Sequence, residues 1–263
     1  MLHKQRSLFN KSDSVLHRLF LDSFWVMLAA ELSVIVSKLV DGLMVSNFME
    51  AEMFAAQNLV SPFFGLIGVI SGLLATGAQV TVSKNIASGR FKEADQTFSL
   101  SLLFGLIIAG AVFVSCFLFG DLLTQFFGAD PADHTLFEAT KKYLMGLGVG
   151  AIPLTLNVIL TPVLQINGDR NRVKFTMFLI TGINIVCNAL SIFVFDLGMF
   201  GIGLSTSIAE FCGMIVYLLH FRKRNIMCHI RLSAIRFRTI KGVLTVGLPK
   251  ATYRICNTFR PLL

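Results

Sequence analysis

FGLIIAGAVFVSCFLF, residues 104–119, carries no charge and a single hydroxyl, Ser115. The charge-free run around it extends from Phe98 to Gly120, and a second one runs from Phe175 to Phe195. As a helix rising about 1.5 Å per residue, each is long enough to cross roughly 30 Å of hydrocarbon. A barrel strand would be shorter and would alternate polar with apolar residues. In lipid a segment must satisfy its own backbone hydrogen bonds, so these runs read as membrane-spanning helices. The rest of the 263-residue chain has the same character, with 54% hydrophobic residues, 14% charged residues and a mean hydropathy of +0.72. A soluble domain carries about 25% charge, so an ordinary soluble enzyme is excluded.

Spans are predicted near 20–45, 55–82, 97–119, 143–165, 175–195 and 201–220. The net charge of +8 does not point to nucleic acid, because the basic residues stand between long apolar runs. They also alternate. Lys4, Arg6, Lys11 and Arg18 precede the first span; Lys84, Arg90 and Lys92 follow the second; Arg170, Arg172 and Lys174 follow the fourth. The intervening loops are acidic or mixed, with Asp121, Asp130, Asp133 and Glu138 beside Lys141 and Lys142. Positive loops are retained in the cytoplasm, so the expected protein is multi-pass in the cell membrane with a cytoplasmic N-terminus. The predicted fold class is an all-α integral membrane protein. Its parts are a cytoplasmic segment (1–19), a six-transmembrane-helix bundle forming one lobe (20–220), a basic cytoplasmic linker (221–241) and the truncated start of helix seven and a second lobe (242–263). The linker, FRKRNIMCHIRLSAIRFRTIK, mixes basic and apolar residues; an amphipathic helix on the inner leaflet and a charged connector are both open readings.

Several segments in this order resemble the MATE (multidrug and toxic compound extrusion) family of transporters. VDGLMVSNF (40–48) followed by FAAQNLVSP (54–62) is similar to the family's aspartate at the end of helix one and its small-residue entry into helix two. SGLLATGAQVTVSKNIASGRFKEAD (71–95) resembles the glycine-rich end of helix two and the loop after it. LQINGDRNRVKF (164–175) resembles the Gly-Asp turn between helices four and five, GMFGIGLSTSIAE (198–210) the start of helix six, and VGLP (246–249) the opening of helix seven. The sequence departs from the pattern near Trp25 and Val26, where many members have a proline, and at Ser46, where a glycine is usual. The resemblance implies two six-helix lobes with a cavity between them, of which this chain supplies one.

Charges in hydrocarbon cost at least about 2.5–3.5 kcal/mol each on insertion scales and usually face a cavity or a partner. Glu31, Lys38 and Asp41 share one face of the first span at helical spacing, which either forms a structural Lys38–Asp41 ion pair or presents a carboxylate suited to taking up and releasing a proton. Asn184 and Asn188 stand one turn apart in the fifth span, Thr206 and Glu210 one turn apart in the sixth. By the resemblance, Asp41, Asn184, Asn188 and Thr206 fall on the proton- or cation-coupling positions. Asn188 replaces an acid common in the family and cannot titrate; Glu31 and Glu210 are the candidates to compensate. Lys38, Gln79 and Asn157 are candidate cavity-lining residues. The histidines, His3, His17, His134, His220 and His229, are scattered and show no metal-ligand spacing. The five cysteines form no CxxC pair, which argues against a disulfide scaffold or a zinc site.

The resemblance implies a cation-coupled antiporter, driven by H+ or Na+ and needing no cofactor, that exports amphipathic or cationic organic compounds by alternating access. Its expected partners are the organic substrate, the lipid bilayer and the missing C-terminal lobe. The alternatives are a lipid or polysaccharide flippase of the same superfamily, with a more basic cavity, and an inactive truncated product. A membrane-embedded enzyme finds no nucleophile or HExxH motif in support.

Overall fold

The computed structural model describes residues 2–222, 226–231 and 240–259. The described residues are helical almost throughout: α1 (Leu2–Phe48), α2 (Ala51–Ala87), α3 (Phe91–Leu118), α4 (Gly120–Phe126), α5 (His134–Val149), α6 (Ala151–Ile166), α7 (Arg170–Phe193), α8 (Gly198–His220) and α9 (Ile240–Phe259). Helix α1 starts upstream of the expected first span, so residues 2–19 continue the helix instead of forming a separate segment. Among the described residues α2, α3, α7 and α8 are long and apolar enough to cross a membrane, and α5 with α6 adds a fifth crossing if counted as one span.

The expected span 143–165 is thus two helices bent by 47°. Pro153 gives the reason: it has no N–H to donate to the carbonyl of Val149, four residues earlier, and its ring fits the first turn of a new helix. The break also receives α8. A Cβ on Gly150 would lie 2.9 Å from Ser207 Cα, one on Gly146 would lie 2.9 Å from Leu204 N, and one on Gly203 would lie 2.7 Å from Leu147 N. Helices α5 and α8 therefore cross backbone to backbone, the approach that small residues allow in membrane bundles. Gly203→Val should overpack this crossing and lower lobe stability by about 1–3 kcal/mol, read as a drop in the detergent-solubilised melting temperature; an unchanged melting temperature would contradict the crossing.

At the end carrying the basic loops, Gly168 at φ +83° makes the turn from α6 into α7, a conformation glycine adopts at no steric cost. Within the linker, the described stretch 226–231 follows neither reading. Residues 226–231 are not helical, and they are not a solvated connector. Cys228 is fully buried, its N–H donates to Asn167 Oδ1 at 3.0 Å, His229 N–H donates to Asp95 Oδ1 at 2.7 Å and Arg231 N–H donates to Ser99 Oγ at 2.8 Å. Arg231 Nε lies 3.3 Å from Asp95 Oδ2. This strap ties α3 to the α6–α7 turn, because a non-helical backbone has N–H groups free for side-chain acceptors. Residues 223–225 and 232–239 of the linker lie outside the described residues. Beyond them α9 packs along α2, with Val243 against Gly77 and Gly247 against Leu73.

Candidate functional site

Helix α1 docks on α7 through one i, i+4 ridge. Ser33 Oγ donates to the carbonyl of Met177 at 2.9 Å and is hydrogen-bonded to Thr181 Oγ1, and Ser37 Oγ reaches Thr181 Oγ1 at 3.4 Å. The next residue of that ridge is Asp41, so the carboxylate is carried to the same helix. It is buried, and Asn188 Nδ2 donates to Asp41 Oδ1 at 2.5 Å. The amide must present its N–H side here, because a carboxylate can only accept. One turn along α7, Asn184 Nδ2 donates to Thr206 Oγ1 of α8 at 3.1 Å. One turn further along α8, Glu210 accepts from Asn157 Nδ2 of α6 at 2.7 Å through Oε2 and at 2.8 Å through its backbone carbonyl. Gly213 makes room for this contact, since a Cβ there would lie 3.3 Å from Asn157 Nδ2.

The predicted site residues therefore fall into two sets. Asp41, Asn184, Asn188, Thr206, Glu210 and Asn157 come together as three pairs on four helices. Asp41 and Asn184 do not touch; α7 links them. Glu31 and Lys38 stand exposed on α1 and join none of these pairs. The expected shared face of Glu31, Lys38 and Asp41 is thus divided, because α7 covers the edge carrying Asp41 and leaves the other two outside it. The Lys38–Asp41 ion pair is absent among the described residues, Asn188 being the carboxylate's partner. Gln79 lies half-buried on α2, apart from the three pairs.

The sequence reading missed Tyr143, which is buried. It also missed Ser33, Ser37 and Thr181, whose i, i+4 spacing toward Asp41 was there to be read. Three buried amide oxygens, Asn157 Oδ1, Asn184 Oδ1 and Asn188 Oδ1, have no hydrogen-bond partner among the described residues. An orphaned buried acceptor costs about 1–3 kcal/mol. Carboxylate, hydroxyl and amide oxygens, the groups that Asp41, Thr206, Asn184 and Asn188 carry, are the donor types that a hard cation such as Na+ takes.

Comparison with known proteins agrees with this architecture. The chain is 24% identical over 219 residues to the multidrug export protein MepA of Staphylococcus aureus, covering 82% of this chain and 48% of that protein. Its fold superposes on a multidrug resistance MATE transporter of the MOP superfamily in its outward-facing conformation, with a TM-score of 0.80 at 24% identity, covering 90% of this chain and 52% of the other. A MOP superfamily transporter from Pyrococcus furiosus, described as having a binding pocket of reverse polarity, gives a TM-score of 0.79 at 24% identity, again covering 90% and 52%. The chain spans about half the length of the relatives it matches. The sequence profile of the MatE family matches residues 27–190, and with the helical lobe and its ordered motifs this places the chain in the MatE family.

Proposed function

We propose that this chain is the N-terminal lobe of a cation-coupled antiporter that exports amphipathic or cationic organic compounds by alternating access, with H+ or Na+ as the coupling ion. The observation that carries this reading is the Asp41–Asn188 contact with the Asn184–Thr206 contact one turn away on α7, a buried carboxylate held by an amide N–H inside the helical bundle. An ion entering there neutralises Asp41 and competes with Asn188 for its oxygen, so ion binding acts directly on the α1–α7 packing. That is a differential interaction able to bias two arrangements of the lobe. The family's members are transporters, and nothing in this site needs a bond-breaking step. A fluorescent cationic dye in proteoliposomes, with a pH gradient or a sodium gradient imposed separately, tests the reading. Dye uptake driven by one of the two is expected; uptake indifferent to both would end it.

The second reading, a lipid or polysaccharide flippase, draws on Lys38, an exposed cation on α1 that no carboxylate neutralises among the described residues. Anionic lipid or sugar moved in preference to cationic dye would favour it. In either case the basic end is cytoplasmic on the argument from loop charge. An impermeant thiol reagent added outside should label a cysteine placed at Asp130 and spare one at Arg90, and the reverse pattern would overturn the topology.

A further inference from the structure

At the end of the lobe opposite the basic loops, the chain leaves the charge-free span α3 through the short helix α4. With its flanks this stretch reads FGDLLTQFF, residues 119–127. The helix is a separate element. The hydrogen-bond ladder of α3 breaks at Phe119, which sits at φ −117° and ψ 25°, so α4 need not follow the axis of α3. At its other end Gly128, at φ +95°, donates its N–H to the carbonyl of Gln125 at 2.9 Å, and Ala129 N–H donates to the carbonyl of Thr124 at 3.2 Å. Those are the paired bonds of a helix closed by a left-handed glycine. Ala129 is buried, so the chain returns to the protein before Asp130 emerges.

At about 100° per residue, residues 119–127 sort into three sectors around the axis. Gly120, Leu123, Thr124 and Phe127 face the protein. Gly120 and Thr124 are buried, a Cβ on Gly120 would lie 3.5 Å from Met145 Cε of α5, and the Phe127 ring stands 5.4 Å from that of Phe63 on α2. Asp121 and Gln125, one turn apart, make an exposed polar sector, in which Asp121 Oδ1 lies 2.6 Å from Lys141 Nζ of α5. Phe119, Leu122 and Phe126 make the third sector, apolar and exposed. Phe126 at 80% and Leu118 at 72% are the two most exposed large apolar side chains among the described residues. Val114, Leu118, Leu122 and Phe126 follow at intervals of four and are all exposed. The apolar sector of α4 thus continues the outward apolar stripe of the span α3.

We infer that α4 is an interfacial anchor, lying along the outer surface of the bilayer with Phe119, Leu122 and Phe126 in the upper acyl region of outer-leaflet phospholipid and Asp121 and Gln125 turned to headgroups and water. A helix parallel to the membrane normal would pass from apolar to polar along its length. In α4 the exposed side chains alternate along the chain, Phe119, Asp121, Leu122, Gln125, Phe126, and separate only around the axis. That is the division of a helix whose long side rests on the water–lipid boundary. At about 10 Å α4 is too short to hold a membrane by itself; its third sector, packed on α5 and α2, fixes it there. Phospholipid is the occupant because the apolar sector is continuous with the lipid-facing stripe of α3. The outer ends of α3 and α5 are thereby set at one depth in the leaflet, whichever ion or substrate the lobe handles.

Tryptophan emission tests the anchor sector by sector. Trp25 is the single tryptophan of the chain and stands exposed on α1, so W25F gives a silent background. The full chain carrying W25F with L122W, F126W or Q125W is reconstituted into phosphatidylcholine vesicles. Emission is compared in ordinary lipid, in phosphatidylcholine brominated near the top of its acyl chains, and in ordinary lipid with iodide on both sides. L122W and F126W emission should fall about twofold or more in the brominated vesicles, whose quencher sits at the depth that an in-plane helix reaches, and change little with iodide. Q125W should show the reverse order. Two reporters stand in the apolar sector so that a variant with a lowered melting temperature does not decide alone. Iodide quenching of L122W and F126W without bromine quenching would put α4 in water and overturn the anchor. Equal bromine quenching at all three positions would mean a helix immersed on every exposed side, and would overturn it too. So would shielding of L122W and F126W from both quenchers, the result expected if a protein surface, such as a second copy of the chain, covers this sector.

Discussion

If the proposed coupling holds, Asp41→Asn should leave the lobe folded and abolish ion-coupled transport, with coupled dye uptake in proteoliposomes down at least about 100-fold. The asymmetry between folding and function follows from what the substitution keeps. Asparagine has the size of aspartate, and its Oδ1 still accepts the hydrogen bond that Asn188 Nδ2 now donates to Asp41 at 2.5 Å. The α1–α7 seam, held also by Ser33 and Thr181, is preserved. What is lost is the one carboxylate among Asp41, Asn184, Asn188 and Thr206, and an uncharged site gains nothing electrostatic from a proton or a sodium ion. Asp41→Ala is the contrasting case: with Oδ1 of Asn188 already without a partner, it strands the whole amide and costs about 1–3 kcal/mol of stability besides. Asn188→Asp acts in the opposite direction. Two carboxylates at hydrogen-bond distance cannot both stay ionised, so the pair retains one shared proton, and the pH dependence of transport shifts while transport itself persists. Full coupled activity in Asp41→Asn would transfer the carrier role to Glu31 or Glu210.

How far the sequence could be read depended on whether a feature was local. The apolar runs, the Gly-Asp turn at Gly168 and the polar pairs one turn apart on α7 and α8 are periodic or compositional, and each was legible. The division of the span 143–165 was half-legible: a proline inside a helical run interrupts its hydrogen bonding, but the seating of α8 on Gly146 and Gly150 is a contact between segments distant in sequence. The partner of Asp41 could not be chosen from spacing, because Lys38 at i−3 and any residue of another helix competed for it, and only the docking of α1 on α7 decides for Asn188. Glu31 and Lys38 seemed to belong with Asp41 because a helical wheel carries no information about where the neighbouring helix stops. His220 was one of five scattered histidines without metal-ligand spacing, and its contact with Asp169 joins residues that the chain brings together only by folding back through α7 and α8. The strap at 226–231 was illegible for a related reason: its anchors lie in two distant places before it, Asp95 and Ser99 on α3 and Asn167 at the α6–α7 turn, and a basic composition says nothing about backbone N–H groups that find side-chain acceptors.

The contact between Asn157 and Glu210 gives the second large effect, and a double-mutant cycle brings it out. Asn157→Leu keeps the volume but removes the amide donor 2.7 Å from Glu210 Oε2. It leaves a carboxyl group inside the bundle with no side-chain donor, a loss of about 1–3 kcal/mol or more, since a group able to ionise loses more than a neutral one. Glu210→Leu alone removes the Oε2 acceptor and leaves Asn157 Nδ2 only the backbone carbonyl of residue 210, with Asn157 Oδ1 still unpartnered, and should cost no more than about 1–3 kcal/mol. The double variant removes both polar groups at once. Apolar side chains of matching size on α6 and α8 then meet, a replacement that is nearly neutral for stability, so the cycle should return a coupling energy of about 1–3 kcal/mol, measured from unfolding in increasing SDS. A coupling near zero would mean that the two groups act independently. The double variant also isolates chemistry from folding. In the stable Asn157→Leu, Glu210→Leu lobe, coupled flux that survives assigns Glu210 a structural part and leaves Asp41 as the carrier, whereas flux lost at parental stability makes Glu210 the acid that replaces the one Asn188 cannot supply.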